Sequence, residues 1–189
     1  MFGGLGCIHI LERLEAADLK MTVWETTTDV GIPSFYGLLL PRQDTVGHIG
    51  AGAGTHPSKA IALSRTLTEA VQTRLTYISG ARDDLLAEEF TVAGLDQKLA
   101  SAAELIGEGA ATRVYHDVPT FEQETIGEDL ELLICNLERV GIQHVFSVDL
   151  SLPEIGVAVV RVVIPGLEAP HDDDDYLPGP RVNNVGASN

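Results

Sequence analysis

Cysteine, aromatic side chains and positive charge are all scarce in this chain, and each shortage removes a class of protein. Cys7 and Cys135 are the only cysteines in 189 residues. Two thiols cannot build a disulfide framework or a sulfur-ligated metal site. Both sit in apolar contexts, GLGCIHI and LLICNL, and are expected to be reduced core thiols. Aromatics make up 5% of a chain that is 44% apolar, so the core should be aliphatic, and the length suits one domain. Twelve basic residues against 28 acidic ones leave a formal charge of −16. That field repels phosphate backbones and anionic membranes, so no nucleic acid and no membrane is expected as a partner. A nucleotide carried with a divalent metal is not excluded, because the metal inverts the local electrostatics. Nowhere does the chain approach the ~18 apolar residues of a membrane span. The opening MFGGLGCIHILERLEAADLK lacks a basic region and a long apolar run, which predicts a cytoplasmic chain without a signal peptide.

Apolar periodicity orders what is there. Ile8, Leu11 and Leu14 stand at helical spacing. Leu19, Met21 and Val23 then alternate as one face of a strand, and FYGLLLP reads as a second strand ended by Pro41. A short third strand is expected over 45–49, followed by the glycine run GAGAG and a long helix with Thr55 as its N-cap. A further helix is predicted over 94–106, and 113–129 reads as loop. From Leu130 the first pattern returns as helix, alternating strand, glycine, apolar strand and proline. The fold expected is therefore α/β, a mixed β-sheet packed with helices and holding a loosely duplicated αββ unit. From Leu167 on the chain loses its periodicity, predicting a flexible tail over 167–189, acidic and then rich in Pro and Gly.

The long helix carries the unusual chemistry. At about 100° per residue, Leu63, Leu67, Ala70, Val71 and Ile78 form one apolar stripe, with Arg74 in its middle. A guanidinium there must be paired or must reach a cavity. Ser58, Arg65, Thr68, Glu69, Gln72 and Thr76 gather on the other face, where Arg65, Glu69 and Gln72 can converge at i, i+4 and i, i+3 spacing. Such a cluster is either an internal ion-pair network or a nucleotide site. In a nucleotide site Glu would hold a divalent metal, Gln would read a base or ribose edge, and Arg would clamp phosphate. The preceding GAGAGTHPSKA offers backbone N–H groups at a helix start, although Thr55 and Lys59 break the phosphate-loop pattern G-x-x-x-x-G-K-[ST]. Weaker candidates are His48 and His56 beside the glycines, the run HDDDD from His171 to Asp175, Ser79 as a turn residue, and Asp83 and Asp84 as partners for Arg82 or Arg74.

G-A-G-x-H-P-S-K-A, then L-S-R-T-L-T-E-A-V-Q-T-R-L-T, then I-S-G-A-R-D-D resembles the YcaO domain family, as does the later VVRVVIPGLE. Glu69, Gln72 and Arg74 match the family's E-x-x-Q-x-R motif residue for residue. The likeness covers most of residues 10–181 and corresponds to the C-terminal half of the domain, here 1–166. It implies ATP-dependent activation of a peptide-backbone amide. A nucleophile adds to the carbonyl, ATP phosphorylates the adduct oxygen, and loss of phosphate leaves an azoline, amidine or thioamide. By the same resemblance Glu69 holds Mg2+ directly or through water. Gln72 and Arg74 contact the nucleotide, with Arg65 and Arg82 as further candidates.

Two departures qualify what is implied. The family's upstream S-x-x-x-E-x-x-E-R motifs, source of most metal-binding carboxylates, are absent; LERLEAAD and CNLERV lack the spacing. The chain is therefore expected to hold one wall of the ATP site. Its partners are expected to be a peptide or protein substrate, the missing YcaO half, and further copies of itself. The end PGPRVNNVGASN also lacks the P-x-P-x-P tail of azoline formers, which favours a thioamide-forming type with a TfuA-like partner. The alternatives are a catalytically incompetent remnant serving as a binding or oligomerisation module, and a structural domain whose Glu–Gln–Arg cluster is only an ion-pair network.

Overall fold

A computed structural model describes residues 2–42, 48–80, 83, 87–107, 111–168 and 176–181. The chain forms two compact units, Met1–Asp129 and Leu130–Asn189. The first contains α1 (Phe2–Ala16), β1 (Leu19–Glu25), β2 (Ser34–Pro41), β3 (Gly50–Thr55), α2 (Lys59–Ser79) and α3 (Val92–Ile106). Helix α4 (Ile126–Arg139) spans the boundary, and β4 (Phe146–Asp149) and β5 (Val160–Val163) follow it. The α/β class holds, and the strand pairings that this chain supplies are antiparallel. Helix followed by an antiparallel strand pair occurs in both units. Among the described residues no helix is long and apolar enough to cross a membrane.

The three-stranded sheet of the first unit runs β1-β2-β3. Strand alternation divides its side chains between two helical layers. Phe35 and Leu39 face α1 and α2, packing with Leu14, Ala62 and Ala70, and Leu19, Met21 and Val23 of β1 lie on this face as predicted. Leu38 and Leu40 face α3, against Ala102, Leu99 and Ile106. Leu39 and Leu67 are fully buried, which contributes about 2–3 kcal/mol each. The buried face of α1 is Cys7, Ile10 and Leu14; Ile8 and Leu11 of the expected stripe are exposed.

The glycine run forms strand β3. Gly50, Gly52 and Gly54 share the face of β3 that meets α2, and a Cβ on them would run into the carbonyl oxygens of Ala70, Thr66 and Ala62. Two strand residues advance ~6.6 Å and four helical residues ~6 Å. The two spacings match, so strand and helix pack backbone to backbone along three contacts. The strand expected over 45–49 falls mostly outside the described residues; His48 and Ile49 are irregular and the ladder begins at Gly50. Thr55 ends β3 and bonds Ser34 across the sheet, and Ser58 takes the N-cap position of α2.

At the end of the first unit Thr125 and Glu128 form a reciprocal capping box that starts α4 inside the stretch expected to be loop. Leu137 and Ile142 are buried, whereas every residue of β4 and β5 is exposed. Cys7 is buried, its thiol pushed up by burial, but Cys135 is exposed on α4 and is not the core thiol expected.

Candidate functional site

Helix α2 carries the site residues because its sheet-facing side is nearly all small. Ala62, Thr66 and Ala70 lie directly over the glycines, and Thr66 donates its hydroxyl to the carbonyls of Phe35 and Ala62. The helix has 21 residues, ~32 Å long, against six residues or ~20 Å for β3. Its last turns therefore overhang the sheet, which is why Ile78, expected in the core, is 52% exposed.

The expected site residues are distributed around this helix. Glu69 is exposed and reaches the free side of β3, where its Oε2 accepts the Ala53 N–H at 3.3 Å. Its other oxygen has no partner among the described residues. Arg74 is half-buried, donating from Nε to the His48 carbonyl at 3.0 Å. Its terminal nitrogens make no further hydrogen bond among the described residues. Gln72 is exposed and borders a groove of about 840 Å³ between α1 and α2. Arg65 is exposed one turn before Glu69. About 60° of helix separates Gln72 from Glu69, and about 140° separates Arg74 from Glu69. Arg65, Glu69 and Gln72 are thus open to solvent in this chain, while Arg74 is half-buried. Among the described residues no ion pair joins Arg65, Glu69 and Arg74. Arg82, Asp84 and the HDDDD run lie outside the described residues; Asp83 is exposed.

The helix start is no phosphate cradle. The Lys59 ammonium is held by the carbonyls of Tyr115, His116 and Val118, at 3.2, 2.9 and 2.7 Å. The Lys59 N–H bonds Thr120, and Pro57 accepts from the Phe121 N–H, so the loop from Tyr115 to Phe121 closes over the end where an anion would dock. His56 Nδ1 accepts the Ser58 N–H, and Ser79 donates to the Thr76 carbonyl; both serve local turns. Among the described residues no three His, Cys, Asp or Glu side chains group as a metal site.

One feature beside the cluster was not visible in the sequence. A cavity of about 710 Å³ is lined by Ile49 and Ala51, by Thr73 and Tyr77 of α2, and by Lys98 and Ser101 of α3, among others. At its edge the His48 ring stacks on Tyr77, their centroids 5.7 Å apart, and meets Phe90 edge-on. Lys98 bonds Glu89 at 2.6 Å and lies over the Tyr77 ring. Burial pulls the Lys98 ammonium down, but the hydrogen bonds to Glu89 and Tyr77 outweigh it and hold it above the ordinary value. Burial first, then the charges of Arg74 and Lys98, push the His48 imidazole below its usual range.

The first unit is thus a three-layer α/β arrangement that carries a carboxylate, an amide and a guanidinium on one helix. The sequence profile described as YcaO cyclodehydratase, ATP- and Mg2+-binding, matches residues 6–168, and the chain belongs to the YcaO family. An uncharacterized protein in the tfuA 3′ region of Rhizobium leguminosarum bv. trifolii is 33% identical over 176 residues, 88% of this chain and 41% of the relative. An uncharacterized protein of Methanothermobacter thermautotrophicus is 33% identical over 164 residues, 84% of this chain and 42% of the relative. The chain thus spans about two-fifths of the length of these relatives. Among solved structures, a heterocyclase in complex with substrate and cofactor is similar at a TM-score of 0.67 and 24% identity, over 85% of this chain and 21% of the other. YcaO from Methanopyrus kandleri, bound with AMPPCP and Mg2+, is similar at 0.64 and 20% identity, over 85% and 42%. At these identities the likeness is one of fold.

Proposed function

We propose that this chain supplies one wall of a Mg2+–ATP site for activating a peptide-backbone amide, with residues 1–166 as the C-terminal portion of the YcaO domain. The observation that carries this reading is how the motif is anchored. Glu69 and Arg74 are each fixed by a backbone group, and among the described residues neither pairs with the other, nor do a carboxylate oxygen of Glu69 and the terminal nitrogens of Arg74 have a further partner. The donor set fits a hard cation carried with phosphates, which takes one or two carboxylates and fills its remaining positions with phosphate oxygen and water. Glu69 would hold Mg2+, while Gln72, Arg74, Arg65 and Arg82 would orient the nucleotide. Bound Mg2+–ATP supplies the phosphoryl group and neutralises the charge that develops in its transfer. A single carboxylate does not complete a phosphoryl-transfer clamp, so turnover would need the acidic motifs of the other YcaO half.

A thioamide-forming type with a TfuA-like partner is in keeping with the tfuA 3′ region of the Rhizobium relative. A second reading, a catalytically incompetent module for association with a partner or with itself, is favoured by exposed apolar residues. Leu5 and Ile8 of α1 and the three valines of β5, Val160, Val162 and Val163, lie open. Calorimetric titration with ATP and Mg2+ separates the two. Weak binding that Glu69→Ala abolishes is expected; no binding, or equal binding by both proteins, would overturn the nucleotide reading.

A further inference from the structure

Arg74 is anchored on a residue that lies outside the sheet. The ladder of β2 and β3 begins at Gly50, so no strand pairing fixes the His48 main chain among the described residues. The ring of His48 is fixed instead. It stacks on Tyr77 of α2, 14° from parallel with centroids 5.7 Å apart, and Phe90 meets its edge at the same distance. The carbonyl of the same residue accepts the Arg74 Nε–H at 3.0 Å. Arg74 and Tyr77 stand three residues apart on α2 and so are neighbours on its surface. His48 thus brackets one turn of the motif helix, holding Tyr77 with its ring and Arg74 with its carbonyl. Gly50 makes room for this: a Cβ there would come within 3.0 Å of the Arg74 Cβ and closer still to the Ala70 carbonyl.

We propose that His48 is a positioning residue for Arg74, its ring acting as a wedge that sets the carbonyl on which the guanidinium is aligned. A bond at Nε leaves the two terminal nitrogens as the paired donors that a phosphate group takes. Fixing Nε removes rotamer freedom that the arginine would otherwise lose on binding, so the gain appears as nucleotide affinity. His48 itself touches no nucleotide in this scheme; it acts through Arg74. Glu69 is held differently, by the N–H of Ala53 within the ladder, so its orientation does not depend on His48. The bracket rests on the contacts of His48 alone, and only the use of Arg74 for phosphate rests on the nucleotide reading above.

The test follows the Arg74 Nε–H resonance by NMR in the whole chain and measures Mg2+–ATP binding by calorimetry in the same proteins. His48→Ala keeps the carbonyl and removes the wedge. It should quicken exchange of the Arg74 Nε–H about fivefold or more and weaken Mg2+–ATP binding about fivefold, with the Ala53 amide unchanged. His48→Phe restores the stack and should return both values to within about twofold of the unmodified chain. Phe90→Ala removes one of the two ring contacts and should act in the same direction by less. Unchanged Arg74 exchange in both alanine variants, or a loss in His48→Phe as large as in His48→Ala, would overturn the proposal. So would a matching loss of protection at the Ala53 amide, the sign that the whole sheet edge has loosened. Altered Arg74 exchange with equal Mg2+–ATP binding in every variant would support the bracket and overturn the use of Arg74 for phosphate. If the unmodified chain binds no Mg2+–ATP, the nucleotide reading falls, and the Arg74 resonance still decides for or against the bracket.

Discussion

Strands β2 and β5 have similar sequences and opposite surroundings. SFYGLLLP and VRVV are both apolar, both follow a helix and a strand, and both run antiparallel to the strand before them. Leu39 of β2 is 0% exposed; Val162 of β5 is 54% exposed. The difference is cover. β2 is the central strand of three with helices on both faces, whereas among the described residues β5 has one neighbour. A strand's apolar sequence states a requirement for burial, and only the packing around it meets that requirement. A two-stranded pair without a covering layer is marginal in water, so stability in this chain should reside almost wholly in the first unit.

Substitutions matched across the two regions test that difference. Gly52→Val drives a branched side chain into the Thr66 carbonyl and should cost about 3 kcal/mol or more in a denaturant titration. Val162→Ser should change stability by less than about 0.5 kcal/mol, as an exposed position does. Comparable losses from both would show that the second pair is covered and break the comparison. Next in size is Lys59→Met, which keeps the aliphatic stem but releases the carbonyls of Tyr115, His116 and Val118. A loss on the order of 2 kcal/mol is expected for bonds to a charged donor in a half-buried setting. Hydrogen exchange should quicken first at Asp117, Val118 and Phe121; unchanged exchange there would show that the loop holds without the lysine.

The α/β class, the face of β1, the second helix–strand–strand stretch and the placement of the motif on a long helix were all legible in the sequence. Each depends on local periodicity, which a single chain displays. The role of GAGAG was not, because a glycine that permits a turn and a glycine that admits a helix backbone are the same letter. The alternation of Gly50, Gly52 and Gly54 with two alanines was the available signal, being the period of a strand. The start of α4 was also written in the sequence, in the T-x-x-E of Thr125 to Glu128, beneath a stretch that composition marked as loop. The chemistry proposed for Glu69, Gln72 and Arg74 rests on the family resemblance. The direction of each side chain was not legible, since it depends on which turns of α2 overhang the sheet. Nor was the cavity between α2 and α3, whose walls lie far apart in sequence and share no pattern.

The smallest expected effect concerns pH and is confined to the first unit. The His48 ring stacks on Tyr77 and meets Phe90, with Arg74 on its own carbonyl and Lys98 across the Tyr77 ring, Lys98 in turn held by Glu89. Burial, with two cations nearby, lowers its affinity for a proton below the ordinary value of 6.5. The unfolded chain therefore binds this proton first as pH falls, and the stability contributed by neutral His48 is present above about pH 6.5 and lost below it. Asp149 and Glu168, also shifted downward, start from 3.8 and 4.5 and titrate below this window. Falling pH also relieves the self-repulsion of a strongly acidic chain, an effect of opposite sign, so the comparison must be with a variant. His48→Phe keeps a ring against Tyr77 and Phe90 and removes the titration. Between pH 7.5 and 5.5 its denaturation midpoint should fall less, or rise more, than that of the unmodified chain. Parallel curves would show that His48 takes up its proton at no cost to folding, and that the cations beside it are screened by solvent.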